Sequence, residues 1–219
     1  MVRQYPLDLA GAPDYSRRSF VHGPSNAEAV SLLANLDYWT GPVLAVYGPA
    51  GCGKTHLGTI WAQAHTAICL DGRAGFIPRR DYRGRAIWMD DAEQCEEYTL
   101  FTLINLALTG EIPALLLTGR SRPADWPVNL PDLKSRLRNI QSVAVQQADD
   151  EVLSSVIDKL FRDRGLIVSE AVIQYLLAHA DRSIDHLRAL IADIDREAAS
   201  LGVNVTRNFV AKFMQSSLI

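Results

Sequence analysis

The stretch VLAVYGPAGCGKTHL, residues 43 to 57, constrains the fold more than any other part of this chain. A short apolar run stopped by glycine reads as a buried strand, and residues 54 to 64 have helix-forming character. Between them Gly48 to Thr55 fill the pattern G-x-x-x-x-G-K-[ST] in full. Strand, glycine turn and helix in that order curl backbone N–H groups around an anion at a helix N-terminus. Gly48, Pro49, Ala50, Gly51, Cys52 and Gly53 are the candidate cradle, Lys54 adds a point charge for terminal phosphates, and Thr55 offers a hydroxyl to Mg²⁺. Cys52 and His56 are counted with the loop by position, their side chains reading as fillers.

Such a loop works with a carboxylate at the end of another strand. AIWMDD, residues 86 to 91, supplies one. Asp90 is the candidate holder of Mg²⁺, through water, and Asp91 the candidate for orienting or activating an attacking water. Two aspartates after a strand also suit the start of a helix; beside the loop, the functional reading is the better one.

Further buried-strand candidates are residues 67–70, 86–89, 113–118 and 142–145. Longer segments separate them, which points to an α/β fold: a parallel sheet with helices on both faces. After about residue 147 the pattern becomes helical throughout. Acidic Asp149 to Glu151 open one helix, Ser169 caps a second, Ile184 to Ile194 mark a third, and a fourth begins near Thr206. The expected division is an extended tail over 1–18, an α/β domain over 19–146 and a small all-helical domain over 147–219. SNAE, Ser25 to Glu28, reads as a capping box opening a helix before the sheet.

With 22 basic and 25 acidic residues the chain has a formal charge of -3 and no overall cationic field to grip nucleic acid, so any such contact is local. Its three cysteines have no paired short spacing, and no apolar run approaches the roughly 18 residues of a membrane span. A cytoplasmic protein without a membrane partner is the expectation.

The details resemble a known group. FVHGPSNAEA (20–29), GPAGCGKTHL (48–57) and IWMDDAEQ (87–94) are similar to the DnaA-like AAA+ family, and LLLTGRSRP with LPDLKSRL (130–137) resembles its Hda-type members, regulatory inactivators of DnaA. The likeness covers nearly the whole chain. It implies an AAA+ core with a helical lid, bound ADP or ATP with Mg²⁺, adenine contacts near Val21 and His22, and Arg136 as an arginine finger reaching a neighbour's nucleotide. An arginine suits that task because its planar fork can neutralise developing phosphate charge. Hda-type proteins begin with a glutamine-led peptide for the replicative sliding clamp, and QYPLDL matches it as Gln4, Leu7 and Leu9. An extended, proline-stiffened segment loses little entropy on docking.

The resemblance thus implies a regulator that docks on the clamp and promotes hydrolysis of ATP bound to the DnaA initiator, with little ATPase of its own. With the sequence ending at Ile219, the separate DNA-binding domain of an initiator is not expected. Two positions depart from the pattern. The lid's sensor arginine is replaced by Asp185, flanked by Arg182 and Arg188, and the polar sensor after LLLT falls on Arg120. Arginines at 73, 79, 80, 83 and 85 crowd the short link after residue 70; a solvated loop is the first reading, a patch for DNA or an acidic partner the second. The alternative function is a helicase loader or single-stranded-DNA-dependent ATPase, in which Asp91 acts on the chain's own ATP. A homodimer and the choice between ADP and ATP are left open.

Overall fold

The computed structural model describes residues 14–74 and 82–216. Gln4, Leu7 and Leu9, and with them Arg79 and Arg80, lie outside the described residues. The chain divides into two compact units, one over Tyr15–Gln147 and one from Ala148 onward.

Five strands, β1 (Val43–Tyr47), β2 (Ile68–Asp71), β3 (Ile87–Asp90), β4 (Leu115–Gly119) and β5 (Gln141–Ala144), form a sheet in the first unit. Their order is β2-β3-β4-β1-β5, with every neighbouring pair parallel. Strand alternation divides the core. Leu44, Val46, Trp88, Leu116 and Val143 face α1 (Ala27–Ala34) and α2 (Lys54–His65). Val43, Ala45, Ile87, Met89, Leu115 and Leu117 face α3 (Glu97–Leu108) and α4 (Pro131–Asn139). Helices therefore cover both faces, which is why β4 is an unbroken leucine run: Leu115, Leu116 and Leu117 are all 0% exposed. Each such burial contributes about 2 kcal/mol.

The start of the unit differs from expectation. Residues from Tyr15 already pack in it, because the His56 ring meets Tyr15 edge-on and its Nε2 lies 2.9 Å from the carbonyl of Ser16. A carbonyl only accepts, so Nε2 carries the hydrogen. Nor does the capping box of Ser25 and Glu28 form, since α1 starts after Asn26 and no side chain caps it. The carbonyl of Ser25 accepts from the N–H of Gln146 at 2.9 Å. Asn26 is buried and turns backward: its Oδ1 accepts from the N–H of Gly23 at 3.2 Å, and its Nδ2 donates to the carbonyl of Val21 at 3.0 Å.

Helix α3 is tied to the segment that leads into α4. Glu97 Oε1 accepts from the N–H of Asn129 at 2.8 Å, and Oε2 from the N–H of Leu130 at 2.8 Å. These backbone donors, Asn129 first and Leu130 second, hold its carboxyl below the ordinary value. A carboxylate stabilised in this way supports the fold above its unfolded pKa of about 4.3 and loses that support as pH falls through the lower folded value. The melting-temperature advantage of the wild type over Glu97→Gln is thus expected to be constant above about pH 4.3 and to close below it; a gap independent of pH would show that the charge is irrelevant.

The second unit contains α5 (Asp150–Arg162), α6 (Glu170–His179), α7 (Ile184–Leu201) and α8 (Arg207–Ser216). Asp149 caps α5, its Oδ1 accepting from the N–H of Val152 at 2.8 Å. Phe161, Val172, Leu176, Ile191, Ile194 and Val210 are each 0% exposed and form its interior.

Candidate phosphate site

The loop after β1 is held by close packing. Gly48 donates its N–H to the carbonyl of Gly119 at 3.1 Å, and a Cβ on it would lie 2.1 Å from the carbonyl oxygen of Val145. Gly51 (φ 70°) and Gly53 (φ 98°) take left-handed backbone, the second as the residue that opens α2. Both need glycine for that reason.

Lys54 is 8% exposed. Its Nζ donates to the carbonyls of Gly48 at 2.9 Å and Pro49 at 2.7 Å and lies 3.7 Å from Cys52 Sγ. No carboxylate among the described residues stands in ion-pair range of it. A buried ammonium with neutral partners, at the N-terminus of a twelve-residue helix, is a site built for an anion. Burial pushes the Cys52 thiol up despite the nearby Lys54 charge, so Cys52 stays a neutral filler.

Asp90 is the meeting point of three elements. Thr55 Oγ1, in the first turn of α2, donates to Asp90 Oδ2 at 2.8 Å. From β4, Thr118 Oγ1 donates to Asp90 Oδ1 at 2.6 Å. The hydroxyl and the carboxylate expected to hold Mg²⁺ are therefore side by side. Among the described residues no group of three or more His, Cys, Asp or Glu could hold a metal ion, so a cation here would draw its other ligands from phosphates and water, as Mg²⁺ ordinarily does.

Asp91 has a left-handed backbone (φ 47°), and its carboxylate pairs with the guanidinium of Arg73. Gly72 makes this possible, since a Cβ there would sit 2.3 Å from the carbonyl oxygen of Asp91. Asp91, Arg73, Asp90, Thr55 and Trp88 line a cleft of about 420 Å³. Two positions expected near a base are separate from it: His22 meets Phe20 edge-on and lines a smaller cavity of about 120 Å³ beside α2, while Val21 is held through its carbonyl by Asn26.

Arg136 is elsewhere. It lies near the C-terminal end of α4, its guanidinium 4.9 Å from the centre of the Phe101 ring. With Pro42, Val43, Ile104, Asn139 and Gln141 it lines a groove of about 360 Å³ at the N-terminal ends of β1 and β5. The phosphate loop leaves the other end of β1, five residues away, a separation of about 16 Å. Arg138, two positions on, is exposed.

The positions that depart from the sequence pattern are engaged otherwise. Arg120 is exposed, and its N–H donates to Glu93 Oε1 at 2.9 Å. Asp185 pairs with Arg188 at 3.3 Å, and Arg182 with Asp150 at 2.7 Å, inside the helical unit. Of the five arginines after residue 70, Arg83 pairs with Glu111 at 3.1 Å and Arg73 with Asp91. Thr118 is the functional residue that sequence reasoning missed. Its signal was available, since it is the one polar residue in the run 113–118.

No protein-family model matches the sequence. A Haemophilus influenzae protein described as uncharacterized is 24% identical over 233 residues, spanning 98% of this chain and 99% of its own. Domain III of the replication initiation protein DnaA from Thermotoga maritima superposes with a TM-score of 0.73 at 18% identity, covering 94% of this chain and 97% of that one. AMPPCP-bound DnaA from Aquifex aeolicus gives 0.65 at 21% identity over 84% of this chain and 65% of its own. The Thermotoga maritima RuvB Holliday junction branch migration motor gives 0.70 at 17% over 92% and 72%. With its parallel sheet in the order β2-β3-β4-β1-β5, its phosphate loop after β1 and its following helices, the chain has the AAA+ fold of DnaA domain III and RuvB.

Proposed function

We propose that this protein binds adenine nucleotide and acts in DNA replication as an Hda-like regulator: docked on the sliding clamp, it presents Arg136 to ATP held by the AAA+ domain of the DnaA initiator. The observation that carries this reading is the separation of its two candidate functional groups. The phosphate loop and Arg136 stand at opposite ends of β1, so Arg136 is of no use to the nucleotide in its own loop. An arginine without a carboxylate partner among the described residues, stacked on an aromatic ring at a groove, is available to a neighbour.

In that reading Gly48 to Gly53 cradle the phosphates through backbone N–H groups, the Lys54 ammonium neutralises terminal charge, and Thr55 and Asp90 hold Mg²⁺. The metal, when bound, spreads charge off the phosphates. Asp91 is engaged by Arg73, which favours retention of nucleotide over turnover by this chain. DnaA and RuvB share the fold, and AMPPCP bound to DnaA supports a nucleotide in the loop. The alternative, a helicase loader working on its own ATP, needs Asp91 released from Arg73.

Gln4, Leu7 and Leu9 are the proposed clamp contact. Surface plasmon resonance with immobilised clamp tests it: saturable binding by the full chain is expected, with at least about a tenfold loss in a Gln4→Ala/Leu7→Ala variant, a change of about 1.4 kcal/mol. Equal binding by both proteins, or none by either, would remove the clamp from the proposal.

A further inference from the structure

Behind the Asp90 carboxylate stand two hydrogen-bonded side chains, Thr118 and Trp88. Trp88, in β3, is 7% exposed, and its indole Nε1 donates to Thr118 Oγ1 at 3.1 Å. Thr118 is 1% exposed, and its oxygen also lies 2.6 Å from Asp90 Oδ1 and 3.2 Å from the carbonyl oxygen of Met89. A threonine hydroxyl has one hydrogen to give. With Trp88 donating into the oxygen, that hydrogen goes to the shorter, charged acceptor, Asp90 Oδ1. Oδ2 is then the carboxylate oxygen turned toward Thr55, 2.8 Å away.

The same indole seats the helix that carries Thr55. A Cβ at Gly58 of α2 would lie 2.2 Å from the Trp88 ring, so α2 rests on Trp88 through the bare backbone of its second turn. One residue therefore meets both the Thr118 hydroxyl that turns Asp90 and the helix that presents Thr55. Replacing its N–H leaves a buried hydroxyl free to rotate toward Met89.

We infer that Trp88 is a positioning residue for the cation site, acting through Thr118 to aim Asp90 Oδ2 at the metal position beside Thr55. This rests on the reading of Gly48 to Thr55 as a nucleotide site. Outer hydrogen bonds of this kind typically shift metal affinity by about 10- to 100-fold.

The test is the Mg²⁺ dependence of ADP binding by the full chain, followed by thermal shift, in wild type, Trp88→Phe, Thr118→Val and the double variant. Phenylalanine keeps an aromatic ring under Gly58 and removes the N–H. The expected result is a roughly tenfold rise in the Mg²⁺ concentration for half-maximal effect in each single variant. The double variant should be no worse than Thr118→Val, because both act on one link. ADP binding in EDTA should be unchanged, and Thr118→Ser should restore the wild-type midpoint. Wild-type Mg²⁺ dependence in Trp88→Phe would overturn the inference and leave the nucleotide site standing. Equal loss with and without Mg²⁺ would reduce Trp88 to a packing role and overturn it too. Failure of the wild type to bind ADP under any condition would overturn the nucleotide site itself, and the inference with it.

Discussion

Replacing Arg136 by alanine is expected to lower the proposed stimulation of ATP hydrolysis by DnaA by about 10³-fold, the lower end of what a trans arginine contributes. The size follows from its place. The guanidinium rests on Phe101 without a carboxylate partner among the described residues, at the end of the sheet away from its own phosphate loop. Its charge is therefore uncommitted among the described residues, and removing it leaves no described partner buried and unpaired. The fold should tolerate the change, with ADP binding by Arg136→Ala within about twofold of wild type, since surface substitutions of this kind stay within about 0.5 kcal/mol. Hydrolysis of DnaA-bound ATP under single-turnover conditions measures the first quantity and equilibrium dialysis the second. Stimulation that survives the substitution would leave the chain a tether without a finger.

The second large effect belongs to Lys54. Lys54→Met keeps most of the apolar stem and removes the ammonium that bridges the carbonyls of Gly48 and Pro49. Hydrogen bonds to a charged group are worth about 1.5 to 3 kcal/mol, and a phosphate would lose such a partner. At least a 100-fold weakening of ADP and ATP binding is expected, equal to about 2.7 kcal/mol. Isothermal titration measures it directly. Binding within threefold of wild type would mean that Lys54 stays folded onto its own loop when nucleotide is bound.

The two variants separate the functions. Arg136→Ala should keep nucleotide and lose stimulation, whereas Lys54→Met should lose nucleotide first.

What the sequence showed clearly was what burial dictates. Strands covered on both faces have to be apolar runs, so β1 and β4 were visible without any partner, and the glycine-rich turn stood out because its left-handed positions tolerate little else. Contacts set by strand register were less visible. That Asp90 would meet Thr118 depends on β3 lying beside β4, where Met89 pairs with Leu117 and the next residues are brought together. Trp88 reads in sequence as one more apolar strand residue; its N–H becomes informative only once Thr118 is behind it. The Arg73–Asp91 pair likewise depends on Asp71 aligning with Asp90 and on Gly72 permitting close approach. The capping box at Ser25 did not form, and the Ser25 carbonyl accepts from the N–H of Gln146, 121 positions away in sequence. Long-range hydrogen bonding of that kind leaves no local trace.

The most direct test of a regulator acting in trans is to follow where hydrolysis occurs. DnaA is loaded with radiolabelled ATP, freed of excess nucleotide, and mixed with the ADP-bound protein and clamp-loaded DNA; in parallel, the protein alone is given ATP and single-stranded DNA. The expected result is conversion of the DnaA-bound label to ADP at a rate raised by about 10³-fold, dependent on Arg136, with little turnover by the protein alone. No acceleration of the DnaA-bound label, together with DNA-stimulated turnover of the protein's own ATP, would contradict the regulator and establish a motor or loader in its place.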